Sequence, residues 1–308
     1  MVTNTQTQIS RSKALLGFGL AAFAAIGFSA KAILVKLAYY DAIDAVTLLA
    51  LRMLFSLPFF LAVALRHAVR KTDNPLQAGD YLAVLLLGIL GYYLSSLFDF
   101  IGLQYISAGL ERLILFLYPT MVLLLSVVCL GKTFGHKEMV ALLLSYSGIG
   151  LVFFEELSFK SDNLLVGASF VFASTLTYSL YLIGAGETIA RIGASRFTAL
   201  AMLVACCATF LQFILTHPPD ALLVSWRVYQ LSILMAIFST VLPVFMLSAA
   251  IRLIGSAHTS LIGSIGPVVT LFMAVGILHE TLSAIQILGA SLVMTGVLSL
   301  ILKPKSRS

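Results

Sequence analysis

The sequence predicts an all-α integral membrane protein of ten transmembrane helices, arranged as two inverted five-helix repeats. Three observations lead there: apolar runs long enough to span a bilayer, connections too short to hold a soluble domain, and self-similarity at an offset of 148 residues. Of the 308 residues, 60% are hydrophobic and 10% charged, against about 45–50% and 25% in a soluble domain. A soluble fold would have to expose much of that excess, whereas roughly 18 consecutive apolar residues suffice to cross a bilayer. Such runs fall at 14–37, 44–65, 80–101, 109–130, 137–154, 164–185, 197–216, 231–250, 258–278 and 284–302. The basic lead of Arg11 and Lys13 imitates a signal peptide, but the run after it is longer than the 7–15 residues of an h-region. An uncleaved first span is expected.

The nineteen basic residues set the orientation. With the N-terminus in the cytoplasm, thirteen fall on the inner side, among them Arg66, Arg70, Lys71, Lys132, Lys303, Lys305 and Arg307. Four fall outside: Lys36, Arg112, Lys160 and Arg227. This positive-inside bias places both termini in the cytoplasm and explains the basic balance without nucleic acid. Cys129, Cys206 and Cys207 sit in apolar runs and read as small hydrophobes, not as a disulfide framework or a metal site.

Sliding the chain by 148 residues lays Pro119 on Pro267, Leu113-Ile114 on Leu261-Ile262, Thr133 on Thr281 and Gly148 on Gly296. Each half then holds five spans, an odd number, so the second copy must enter from the opposite side. The expected organisation is a tail at 1–13, a first repeat at 14–154, an outer linker at 155–163, a second repeat at 164–302 and a tail at 303–308. Inverted repeats of this kind typify secondary transporters, with the substrate site between the halves near mid-depth.

The stretch SLIGSIGPVVTLFMAVGILHETLSAIQILGASLVMTGV (260–297) resembles the closing helices of the EamA-type, ten-helix branch of the drug/metabolite transporter superfamily. LLALRM (48–53), KAILVKLAY (31–39) and GLQYISAGLERLILFLYP (102–119) extend the likeness over 14–302. The first half departs at Lys132, which stands where the family has an acidic turn residue. The resemblance implies a transport function in a bacterial inner membrane and leaves the substrate open.

Charged residues within spans cost about 2.5–3.5 kcal/mol at a helix centre and therefore face protein or water. Lys31 lies six residues inside the outer end of its span, about 9 Å at 1.5 Å per residue. Arg52 enters from the same side, and Asp99, Glu111 and Arg112 sit near it. Gly88, Tyr92, Ser95, Ser96 and Asp99 recur at helical spacing as one polar stripe. Gly167, Ser174, Tyr178 and Tyr181 form another on the sixth span. Thr259, Gly263, Gly266 and Thr270 form one on the ninth, and Gly17, Gly27 and Lys31 one on the first. These stripes are the candidate cavity wall. Each has a plainer alternative. Arg52 can be a structural charge locked by Asp99 or Glu111, Glu111-Arg112 an interfacial pair, and Lys31 a snorkelling lysine. The tyrosines can be packing aromatics and the small residues helix contacts. Pro119 and Pro267 each bend a helix or free a carbonyl.

The counterparts of Asp99, Glu111 and Arg112 in the second half are Leu247, Thr259 and Ser260. An ionic outer gate and a weaker apolar inner gate follow, with a resting form open to the cytoplasm. No G-x-x-x-x-G-K-[ST], H-E-x-x-H or G-x-S-x-G occurs. The expectation is a secondary transporter, not an enzyme, without cofactor or metal. Its small-molecule substrate is an amino acid or related compound moved outward, with hydrophobic amines, drugs or channel-like flux as alternatives. Protons are the candidate coupling ion, through Asp99 or Glu111. Monomer and homodimer both remain open.

Overall fold

Long apolar sequences with few interior breakers fold as helices, and a computed structural model shows this for residues 11–69, 75–131, 135–159 and 163–301. No strand occurs among these residues. The expected basic positions Arg70, Lys71, Lys132, Lys160, Lys303, Lys305 and Arg307 lie outside the described residues. The helices are α1 (Arg11–Tyr39), α2 (Ala45–Val69), α3 (Ala78–Gly88), α4 (Ser95–Leu103), α5 (Ala108–Leu115), α6 (Tyr118–Leu130) and α7 (His136–Phe159). After them come α8 (Leu164–Ile192), α9 (Ala194–Thr216), α10 (Trp226–Ala236), α11 (Leu242–Gly263), α12 (Gly266–Leu278) and α13 (Ala284–Ile301). Eight helical stretches among the described residues are long and apolar enough to cross a membrane. Two shorter apolar helices, Gly266–Leu278 and Ala284–Leu300, occupy the rest of the expected ninth span and the tenth. The surface carries Leu15, Phe23, Leu143, Phe154, Leu211 and Phe272, while Ser29, Thr47, Ser56, Thr209 and Thr270 are buried. A lipid solvent accepts that distribution.

The interruptions recur at one interval. A π-helical turn, Ile89–Leu94, joins α3 to α4, and a second, Ile237–Val241, joins α10 to α11; their first residues are 148 apart. The pairs α3/α10, α6/α12 and α7/α13 likewise begin 148 residues apart. The sequence suggests that Pro119 and Pro267 each bend a helix or free a carbonyl. Each sits in the first turn of a helix that restarts after a short break, where proline's missing N–H has no intrahelical partner to lose. Both restarted helices end on a left-handed residue, Gly131 (φ 63°) and His279 (φ 57°).

The eighth and ninth spans are a correction. A break was expected between 250 and 258, yet helix continues through Gly263; the stretch 251–257 holds no proline to stop it. The chain has nonetheless turned back by Gly266. Along α1 it passes Gly27 at Phe238 and Pro243, reaches Gly17 at Leu253 and Ile254, and is beside Ser29 at Gly266.

Packing exchanges between the halves. α1 packs on α10, α11 and α12, while its counterpart α8 packs on α3, α4 and α6. α2 lies on α10 and α9 on α3; α2 meets α9, and α7 meets α13. The result is two interlocked bundles. One holds α1 and α2 with α10–α12, the other α8 and α9 with α3–α6. Small residues let these helices approach, since lipid supplies no hydrophobic drive between them. At the α7–α13 contact a Cβ added to Gly289 would stand 2.6 Å from the Gly148 carbonyl oxygen. Gly289→Val is therefore expected to lower thermal stability in detergent by about 1–3 kcal/mol, the usual cost of overpacking. Transport per folded molecule should be unchanged, because the pair lies away from the buried charges. An unaltered melting temperature would show that the two helices can part at no cost.

Candidate functional site

Depth brings the spans' charges into one layer, and helix packing decides which of them meet. Lys31 on α1 bonds Asp99 Oδ2 on α4 and stands 3.4 Å from Glu111 Oε1 on α5. Asp99 is 2% exposed and Glu111 0%. The lysine does not snorkel; it crosses from one bundle to the other and takes both acids. Two further contacts close the same end. Tyr39 Oη donates to the Phe100 carbonyl at 2.6 Å, and Ala108 N donates to Glu280 Oε1 at 3.1 Å. Glu280, in the turn between α12 and α13, thereby caps α5 of the opposite half. Ser107 Oγ accepts from Leu110 N at 3.1 Å and bonds Glu156, so the start of α5 is held from three sides.

Arg52 is not paired as a lock with either acid would require. Its Nε donates to Thr240 Oγ1 at 3.1 Å, and its guanidinium lies 5.3 Å from the centroid of the Phe100 ring. The side chain is 7% exposed, and among the described residues Nη1 has no hydrogen-bond partner. Arg112, which follows Glu111, turns across to the start of α12, where a Cβ on Gly266 would meet its Nη2 at 2.6 Å. Its Nε is buried without a partner among the described residues, and the cation lies within electrostatic reach of Glu111, Tyr118 and Tyr178. The two acids thus sit on the lysine, and two guanidiniums keep unused donors.

Below them is an aromatic layer. Tyr92 and Tyr181 share a hydrogen bond at 3.0 Å; Tyr178 stacks on Tyr181 with centroids 5.6 Å apart, and Tyr118 meets Tyr178 edge-on at 5.8 Å. Phe197 stacks behind Tyr181 at 6.1 Å. Several other residues of the expected wall make helix contacts. Ser95 and Ser174 bond each other, and Ser174 Oγ donates to the Ser95 carbonyl at 2.7 Å. Gly102 and Gly167 bring α4 against α8, and Gly17 and Gly27 bring α1 against α11 and the π-helical turn before it. Gly88 faces α9, at Ala201 and Val204. The π-helical turn between Gly88 and Ser95 adds a residue to the turn, so the five stripe residues do not share one face. Ser96 is half-buried on α4, and Thr259 is buried on α11.

Thr240, Phe100, Tyr118 and Tyr39 were missed. One signal pointed to Thr240: it is where Tyr92 lands after the 148-residue shift. Among the described residues no cluster of three His, Cys, Asp or Glu side chains could hold a metal.

The model of the EamA-like transporter family matches residues 15–154 and again 165–302. The chain belongs to the EamA-like transporter family. Among its relatives is the "Uncharacterized transporter YcbK" of Bacillus subtilis, 28% identical over 270 residues and 85% of each chain. Another is the "Uncharacterized transporter YyaM" of the same organism, 25% identical over 237 residues and 76% of each chain. A solved crystal structure at 18% identity, TM-score 0.61, covers 94% of this chain and 96% of its own, a likeness of fold. Family membership and the apolar helices make this a multi-pass membrane transporter. The two family matches fall on the two halves whose interruptions recur.

Proposed function

We propose that this EamA-like protein is a secondary carrier that exports a small carboxylate-bearing metabolite, an amino acid or a relative, across the bacterial inner membrane by alternating access. The observation that carries the reading is the exchange of packing partners between the halves, with α1 on α10–α12 and α8 on α3–α6. Five spans per half put such copies in opposite senses across the bilayer, with both termini in the cytoplasm. Exchanging their conformations turns a site open to one side into a site open to the other. The substrate would rest between the bundles, beside the tyrosine layer. Its carboxylate would take the free donors of Arg52 and Arg112, since guanidinium presents paired donors to such a group.

Contacts of α1 with α4 and α5, of α2 with α4 and of α12 with α5 support a form closed on the outside, while α2 and α9 also meet at the other end, where His67 lies 3.2 Å from Ser195. A carrier resting in that form collects cytoplasmic substrate. A hydrophobic amine is the second reading, favoured by the four tyrosine rings, whose faces attract cations.

The test begins with the metabolites that accumulate in the medium of overexpressing cells relative to deletion cells. Each is then offered to purified protein in liposomes. Saturable flux, accelerated by the same compound on the far side, is expected. Flux that rises linearly with concentration and ignores the far side would make the protein a channel and overturn the proposal.

A further inference from the structure

α3 and α9 come close where Gly88 meets Ala201 and Val204, and beside that contact they leave a furrow of about 600 Å³. Val84, Leu85 and Ile89 form one wall, and Val204, Ala208 and Leu211 the other. Leu85 and Leu211 are exposed, while Val84, Ala201 and Phe197 pack as a core behind them. The furrow therefore has a floor and opens sideways, onto lipid. Its length is that of one leaflet. From Asp80 to Ile89 the helix rises about 14 Å at 1.5 Å per residue, close to half of a ~30 Å hydrocarbon core. Tyr81, exposed at the mouth, stands where tyrosines collect at the membrane–water interface.

The duplication supplies a control. The 148-residue shift lays Leu203, Cys207 and Ala208 on Phe55, Phe59 and Phe60 of α2. The counterpart surface carries three phenyl rings where this one leaves space. Walls that face a gap forfeit dispersion contacts, which an occupant restores.

The mouth says which occupant. Asp80, 5% exposed, bonds Arg191 of α8 and accepts from Gln77 N at 2.7 Å. The acid is thereby spent inside the protein, and it holds a guanidinium that is 33% exposed at the headgroup level. Guanidinium offers five donors in a planar fork that fits phosphate. We propose that the furrow is a phospholipid site in the leaflet on the side of the N-terminus, with one acyl chain between α3 and α9 and the phosphate on Arg191. A chain gains little by leaving lipid for protein, so the phosphate contact gives the site its selectivity. The site lies behind the tyrosine layer, since Phe197 of α9 stacks on Tyr181.

Native mass spectrometry of purified, delipidated protein counts bound lipids directly. Phosphatidylglycerol is expected to bind several-fold more tightly than diacylglycerol, which lacks the phosphate, and than glycerol 3-phosphate, which lacks the chains. Two variants locate the site. Leu203→Phe with Cys207→Phe copies the filling of the counterpart surface. Asp80→Asn with Arg191→Gln removes both charges together, so that neither is stranded. Each is expected to weaken the tightest phosphatidylglycerol several-fold, and the second also to abolish its advantage over diacylglycerol. Diacylglycerol bound as tightly as phosphatidylglycerol makes the furrow an unselective apolar surface and overturns the proposal. Glycerol 3-phosphate bound as tightly makes it a free-phosphate site and does the same. Lipid binding that ignores the two phenylalanines places the lipid elsewhere; if a dimer is lost with them instead, the furrow seats a second copy of the chain, and either result sinks the phospholipid site. The three-ligand comparison uses unmodified protein, so it decides even where the charge-pair variant does not fold. Flux is not read, so the outcome is independent of the carrier reading.

Discussion

Lys31→Met should be the most destabilising substitution in the membrane layer, costing about 3–5 kcal/mol, the usual penalty for stranding a buried charge. The lysine bonds Asp99 and pairs with Glu111, and it is the cation common to both among the described ion pairs. Without it Asp99, at 2% exposure, loses its counter-charge. The triple variant Lys31→Met, Asp99→Asn, Glu111→Gln removes cation and acids together and should regain most of the loss, because a buried ion pair is often no better than its neutral replacement. The two effects are read as melting temperatures in detergent. In the triple variant the bundles are no longer tied through Lys31, so the outer end should leak substrate while the protein stays folded. If Lys31→Met melts with the unmodified protein, the ion pair is not a tie between bundles. Asp99→Asn alone should leak in the same way.

What the sequence could tell about this layer was its depth. A charge inside an apolar run is conspicuous, and 1.5 Å per residue places it along the membrane normal. That is why Lys31, Arg52, Asp99, Glu111 and Arg112 could all be named beforehand. Their partners could not, because pairing depends on how helices are rotated and set side by side. Lys31 reached Asp99 and Glu111 only because α1 packs across the start of the other bundle. Arg52, expected to need a carboxylate, found the hydroxyl of Thr240 in the opposite half.

The stripe on the third span failed for a different reason. Reading 88, 92, 95, 96 and 99 as one face assumes 3.6 residues per turn, and the π-helical turn at Ile89–Leu94 breaks that period. No proline or glycine pattern marks such a turn in advance. The glycine stripes had the right period, but a wall of a cavity and a surface for close helix packing use the same small residues. Gly102 against Gly167 is the second kind. The duplication was legible only from several matches taken together at one offset, Pro119 on Pro267 among them, and that offset carried over to helix ends that no residue type announces, such as Leu130 and Leu278.

Arg52 offers the sharpest separation of structure from function. Its cation is desolvated over Phe100, its Nε is met by a neutral hydroxyl, and Nη1 finds no hydrogen-bond partner among the described residues. A purely structural arginine at 7% exposure would be expected to have those donors satisfied. Arg52→Met keeps the length and apolar body of the side chain and removes an unpaired buried charge, so the folded state should be as stable as before or slightly more so. Transport should fall steeply. A charge-assisted contact to a substrate carboxylate is worth about 2–5 kcal/mol, which at 1.4 kcal/mol per decade is a loss of about 30- to 4,000-fold. Arg52→Lys should recover little, because an ammonium cannot bond Thr240 and present a second donor in the same plane. Thr240→Val should have a smaller effect, since it frees Nε while leaving the cation in place. Melting temperature and liposome counterflow, measured on the same preparations, give the answer. A stable Arg52→Met protein without counterflow identifies a binding residue; a stable one that transports normally removes Arg52 from the site and leaves Arg112 to hold the carboxylate.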